Sequence, residues 1–167
     1  KAEINEKRLP GVLAPGTSEY SKHLYYQTYD VTEYLTKENT LDITVGDGWY
    51  KGKLGWLEQT CRFGKQLKLW AQLVITYQDG TTEIIGTDDS WRWCNDGPIR
   101  YADLMDGEVY DARMEPSYSQ NAQLTIHTVV PTASPAAGIE EHEIFKPELI
   151  ITPSGAKILD FGQNLAG

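Results

Sequence analysis

Between Leu67 and Tyr77 apolar side chains fall at every second position, Leu67, Leu69, Ala71, Leu73, Ile75 and Tyr77, with Lys68, Trp70, Gln72, Val74 and Thr76 between them. A period of two puts alternate side chains on opposite faces of an extended chain, so the stretch reads as a half-buried strand. Gln78, Asp79, Gly80 and Thr81 follow, and Asp-Gly supplies the positive φ of a tight turn. The chain should therefore return through Thr82 to Ile85 as the second strand of a hairpin. Similar short β-rich runs lie at Leu24 to Tyr29, Leu41 to Val45, Trp91 to Trp93, Leu124 to Val130 and Lys157 to Phe161, separated by Gly, Pro, Asn and Asp. Many short strands between turn residues predict an all-β chain.

A single helical signal interrupts this pattern. Asp30 with Glu33 three residues later has the form of a capping box over one turn, Val31 to Leu35, which is too short to form a layer. The segment Pro131 to Gly138 concentrates Pro, Ala and Gly without any core-facing period, and predicts an extended connector at a domain boundary. Residues 140–167 hold two or three further candidate strands, too few to bury a core alone. The expected division is a β-domain over residues 1–135, then a linker and the truncated start of a second β-domain over residues 136–167.

Charge narrows the functions. The 167 residues carry 15 Lys and Arg against 24 Asp and Glu, a formal charge of −9. Without clustered cations to neutralise phosphates, such a chain is not expected to bind nucleic acid or an anionic membrane surface. The longest aliphatic runs, such as Leu73, Val74 and Ile75, fall far short of the roughly 20 apolar residues that span a bilayer. With 40% hydrophobic residues, and 5 Trp, 10 Tyr and 3 Phe among the side chains, there is apolar material for a core. Cys61 and Cys94, distant in sequence and outside any CxxC spacing, are expected as free thiols, with a bridge between them as the alternative. His23, His127 and His142 form no HxxxH or HExxH arrangement and read as surface or strand histidines, so no metal site is expected. No signal peptide is visible, and the start at Lys1 without a methionine suggests a processed or excised segment.

Two segments hold groups suited to chemistry. In Gly46 to Trp56 (GDGWYKGKLGW), Trp49, Tyr50 and Trp56 stand among glycines, where a pliant backbone can present flat rings to the apolar face of a sugar. The competing and favoured reading is that these rings cap the sandwich core. The glycine spacing matches neither GxGxxG nor a P-loop, so phosphate binding is not expected. In Asp103 to Glu115 (DLMDGEVYDARME), Asp103, Asp106, Glu108, Asp111 and Glu115 surround Arg113, with Tyr110 among them as a further candidate contact. Such carboxylates could do acid and base work, bind calcium or accept sugar hydroxyls. The spacing does not fit an EF-hand loop. A structural reading competes, in which Asp106-Gly107 makes a turn while Asp111 and Arg113 pair to fix the loop.

Four segments carry a family resemblance: LAPGTSEYSKHLYYQTYDVTEYL (Leu13 to Leu35), VGDGWYKGKLGW ending at Trp56, DGEVYDAR (Asp106 to Arg113) and LDFGQNLAG (Leu159 to Gly167). Together, and in this order, they resemble the N-terminal part of bacterial α-L-rhamnosidases, the inverting glycoside hydrolases of family 78. The resemblance implies a jelly-roll-like antiparallel β-sandwich, with the DFGQN segment opening the next β-domain. It also implies that catalysis belongs to an (α/α)6 barrel absent here, so that no catalytic residue can be carried over and no cofactor is expected. The first strand, Ala2 to Asn5, begins abruptly and the chain ends inside the DFGQN motif, as expected of a fragment of a larger enzyme. A bacterial cytoplasmic location is the accompanying expectation.

The leading expectation is an accessory domain that docks on the other domains of its parent enzyme and supports the catalytic barrel. The alternative is an autonomous carbohydrate-binding module that holds rhamnose or a related sugar through Trp49, Tyr50, Trp56, Asp106, Glu108 and Arg113. Exposed rings on a concave face would favour the module, and buried rings the accessory role. An accessory piece separated from its partners should expose apolar surface and associate or lose stability.

Overall fold

The chain opens with an apolar residue among charged neighbours, and the computed structural model, which describes residues 1–55 and 59–165, forms from it the strand β1 (Ala2–Ile4). A two-residue loop, Asn5-Glu6, returns the chain into β2 (Lys7–Arg8), with Ile4 opposite Lys7. Both loop residues have positive φ, 52° and 65°, the condition for a type I′ hairpin turn. Next come β3 (Tyr25–Tyr26), a 3-10 turn at Thr32–Tyr34, and β4 (Leu41–Ile43), which pairs antiparallel with the free edge of β1. Asn5 holds this assembly through its side chain: Nδ2 donates to Tyr34 O at 3.0 Å and to Asn39 Oδ1 at 2.9 Å, and Oδ1 accepts from Thr40 N at 2.9 Å. Just before the 3-10 turn, Asp30 makes a local turn of its own, its Oδ1 accepting from Thr32 N at 3.0 Å and Thr32 Oγ1 at 2.7 Å. The capping box expected from Asp30 and Glu33 is not formed, because the N-cap position falls on Val31, whose side chain cannot accept from the turn's amides.

A helical turn, α1 (Gly48–Lys51), lies in the glycine-rich segment, where the sequence pattern predicts no helix. It is clipped by an i,i+4 pair, Lys51 Nζ to Asp47 Oδ1 at 2.9 Å. The expected hairpin then appears as β5 (Gln72–Thr76) and β6 (Thr82–Gly86), in register from Gln72 opposite Gly86 to Thr76 opposite Thr82. Gly80 at φ +84° ends its loop, and Asp79 Oδ1 accepts from Thr81 N at 2.9 Å. The strand starts at Gln72, not Leu67, because β6 ends at Gly86 and Thr87 closes the ladder by donating to Ala71 O at 3.0 Å.

The remaining elements are β7 (Arg92–Trp93), the hairpin β8 (Ile99–Asp103) and β9 (Gly107–Tyr110), β10 (Gln120–Asn121), β11 (Thr132–Ala133), and the hairpin β12 (Glu148–Ile151) and β13 (Lys157–Asp160). β10 pairs with β7, while β11 runs parallel to β3. The expected strand from Leu124 to Val130 is not formed. Ala122 N is committed to Trp91 O at 2.8 Å and Thr132 N to Leu24 O at 2.8 Å, and among the described residues the stretch between finds no backbone ladder. Ile126 there is 92% exposed. Cys61 and Cys94 are free thiols, and no helix among the described residues is long and apolar enough to cross a membrane.

The regular elements of the described chain are nearly all strands, but its apolar residues do not gather into one core. Among the described residues only Ile4 (4% exposed) and Leu9 (8%) are buried hydrophobics. The accessible surface is 13714 Å², against about 8,300 Å² for a compact monomer of this mass. The sheet order explains this: among the described residues one sheet has three strands, β2-β1-β4, and five have two. A two-stranded ribbon covers neither of its own faces. Backbone pairing therefore carries more of the architecture than burial does.

Glu6 sits at φ +65°, where a side chain costs roughly 1–2 kcal/mol that glycine avoids, partly offset by glycine's greater unfolded-state entropy. Glu6→Gly is expected to stabilise the chain by roughly 0.5–1 kcal/mol, read as a higher urea midpoint at unchanged m-value.

Candidate functional site

The glycine-rich loop and the acidic hairpin, separate in sequence, meet at Asp103. Its Oδ2 accepts from Lys53 N at 2.8 Å, while its Oδ1 accepts from Met105 N at 2.8 Å and Asp106 N at 3.2 Å. One carboxylate thus closes its own hairpin loop and fastens the chain leaving α1. The approach leaves no space at Gly52, where a Cβ would come within 2.5 Å of both Asp103 Oδ2 and Gly48 O. Lys53 Nζ lies 2.8 Å from Asp106 Oδ2 and 3.1 Å from its Oδ1, and the Tyr101 hydroxyl donates to Asp106 Oδ2 at 3.0 Å. Asp106 is therefore occupied by a cation and a phenol.

Trp49 and Tyr50 are half-buried on α1. Tyr50 joins an aromatic cluster: its ring centroid is 5.2 Å from that of Tyr20, edge to face, and Tyr20 lies 4.9 Å from Phe63. The Tyr50 ring lies over Gly64, where a Cβ would collide with its hydroxyl. Burial raises the Tyr20 phenol above its usual pKa, in keeping with a ring enclosed by aromatic neighbours. Tyr50 is thus engaged in packing, as in the core-capping reading of these aromatics. Trp56 lies outside the described residues.

Arg113 and Asp111 form a local fork, Nε to Oδ1 at 2.8 Å and Nη2 to Oδ2 at 2.7 Å, with Arg113 N also donating to Oδ1 at 3.1 Å. This is the loop-fixing pairing. It depresses the Asp111 carboxyl, the Arg113 hydrogen bonds being the main cause. Glu108 and Tyr110 lie two apart on β9, whose four residues are all exposed. Of the eight sequence-predicted residues, the structure places Trp49 and Tyr50 on α1, Asp106 at the Lys53 junction, Asp111 with Arg113 in their own fork, and Glu108 with Tyr110 on an open strand face. Lys53, Tyr20 and Phe63 were not singled out by sequence reasoning, because each acts through a partner tens of residues away; Tyr101, also missed, reaches Asp106 across its own hairpin, five residues on. Among the described residues no group of three or more His, Cys, Asp or Glu gathers to hold a metal ion.

Fold and site define the class: an all-β module whose glycine-rich loop and acidic hairpin are tied to one another. The family profile described as the α-L-rhamnosidase N-terminal domain matches residues 1–146. The chain belongs to that family. It is 36% identical to an α-L-rhamnosidase of Alteromonas sp. (strain LOR), with all of this chain and 20% of the relative aligned. To the α-L-rhamnosidase of Streptomyces avermitilis it is 37% identical, over all of this chain and 18% of the relative. The solved structure of a Streptomyces avermitilis α-L-rhamnosidase complexed with L-rhamnose superposes with a TM-score of 0.84 at 34% identity, covering 98% of this chain and 17% of that one. A native enzyme from Aspergillus terreus gives the same TM-score and identity, covering 21% of its length. The chain thus spans about a fifth of the relatives it matches and corresponds to their N-terminal portion. The all-β class read from the alternation is borne out, and a β-sandwich is consistent with the superposition.

Burial alone would raise the Asp103 carboxyl, but hydrogen bonds from the Lys53, Met105 and Asp106 amides outweigh it and hold the group below its ordinary value. A depressed carboxyl contributes stability above its unfolded pKa of about 4. That contribution is lost as pH falls through the folded value. Urea midpoints should therefore drop below pH 4, and Asp103→Asn should flatten that acid limb while lowering the midpoint near neutrality.

Proposed function

We propose that this chain is the non-catalytic N-terminal β-domain of an α-L-rhamnosidase, which hydrolyses terminal α-L-rhamnosyl groups, and that it docks on the other domains and supports the catalytic one. The observation that carries this reading is the alignment of essentially the whole chain with only a fifth of its relatives. The large apolar surface supports it, since a module with so little interior needs cover from neighbouring domains. Glu108 and Tyr110, exposed on β9, are the interdomain contacts we assign, and the Lys53–Asp106 and Asp111–Arg113 pairs keep the surrounding loops in shape for docking.

A glycosidase of this kind places two carboxyl groups on either side of the scissile bond, one protonating the leaving oxygen and the other activating water. In this chain Asp103, Asp106 and Asp111 are taken up by amides, Lys53 and Arg113. That engagement, with the match to only the N-terminal fifth of the relatives, supports assigning the chemistry to the rest of the parent chain. The full-length parent should release aglycone from an aryl α-L-rhamnoside with inversion, and the 167-residue chain alone should release none. A parent without rhamnosidase activity, or turnover by this chain alone, would overturn the reading.

The sugar-binding alternative needs open rings, and Tyr50 is engaged with Tyr20 and Gly64. Calorimetric titration of this chain with L-rhamnose, against glucose as control, should give no saturable heat up to millimolar sugar. Rhamnose-specific heat that disappears in a folded Trp49→Ala variant would favour the binding module instead.

A further inference from the structure

The segment after Val130 reads by composition as a loose connector, but it is fastened at three successive points to the N-terminal stretch. Its strand β11 lies parallel to β3, with Thr132 N donating to Leu24 O at 2.8 Å and Ser134 N to Tyr26 O at 2.9 Å. Five residues on, Val12 N donates to Ile139 O at 2.9 Å as an isolated antiparallel bridge. Beyond it, Arg8 Nη1 meets Glu141 Oε1 at 3.0 Å. A cavity of about 280 Å³ opens at this last crossing, lined from one side by Arg8, Pro10, Val12 and Tyr34 and from the other by Glu140 and Glu141. Water therefore reaches the contact between the two segments.

Each fastening is weak. The ion pair is exposed, 47% at Arg8 and 65% at Glu141, and such pairs are worth roughly 0.2–1 kcal/mol and are screened by salt. The returning segment is also acidic, with Glu140, Glu141 and Glu143 within four residues. These carboxylates repel one another, and Arg8 is the cation that the geometry sets against them. Glu148, where hairpin β12–β13 begins, follows shortly after.

The geometry points to a salt-sensitive latch: Arg8–Glu141 and the Val12–Ile139 bridge hold residues 132–141 against the N-terminal strands, and their release frees hairpin β12–β13 to move relative to the preceding domain. The joint is neither a free linker nor a packed interface. It opens locally, without unfolding the hairpins on either side.

Amide hydrogen exchange on the whole 167-residue chain tests this. The Val12, Thr132 and Ser134 amides should exchange about 1.4- to 5-fold faster in 0.5 M salt, the range expected for losing one exposed pair. Arg8→Glu, which adds a fourth carboxylate, should accelerate them at least as much, and Arg8→Glu combined with Glu141→Arg should restore the slow rates. The ladder amides of β5–β6 should not change. Should Arg8→Glu prevent folding, Glu141→Gln, on the exposed side of the pair, serves in its place. Rates indifferent to salt and to these substitutions would overturn the latch, as would acceleration of the β5–β6 amides in step with the others, which would mean global loosening.

Discussion

Strand β1 is the only strand among those described that is hydrogen-bonded along both edges, and the N-terminal half is organised around that double pairing. It places Ile4, the most buried hydrophobic residue, between β2 and β4. It also sets Asn5 where its amide can reach Tyr34, Asn39 and Thr40 together. A side-chain amide with both donors and its acceptor engaged does for this corner what a packed core does elsewhere: it fixes the relative position of three chain segments. Without β1 the returning strand β4 has no neighbour, and the glycine-rich loop that follows loses its footing.

The same economy governs the acidic hairpin. Asp103 both shapes its own turn and receives the Lys53 amide, so a local conformation and a contact fifty residues distant depend on one carboxylate. Gly52 completes the arrangement by leaving the space that Asp103 occupies. Charged residues that look reactive in a list of amino acids are, in place, the fasteners of a surface with little apolar interior beneath it. Carboxylates saturated by amides and cations are well made for rigidity and badly made for proton transfer.

Much of this was legible in the sequence where the physics is local. The period of two and the Asp-Gly turn gave the β5–β6 hairpin, and the neighbouring Asp111 and Arg113 gave the fork. What depends on distant partners was not legible: alternation marks Leu124 to Val130 as strand-forming, but a strand needs an edge to pair with, and Trp91 and Leu24 bind the residues on either side of it. For the same reason Lys53, Tyr20 and Phe63 escaped notice, since nothing near them in sequence announces Asp106 or Tyr50. The Pro- and Ala-rich segment misleads in the opposite direction. Its composition describes a flexible spacer, although two of its amides donate to the backbone around β3.

The stretch from Leu124 to Val130 has one further consequence. Its seven residues, LTIHTVV, carry no acidic or basic side chain other than a histidine, are rich in β-branched residues, and join no backbone ladder among the described residues. Such a window is a template for cross-β stacking with copies of itself. Pro131 follows at once, and a proline at the end of such a run cannot donate to a growing ladder. The residue that begins the connector thus also acts as a gatekeeper, limiting how far self-association can spread along the chain whenever this surface is uncovered.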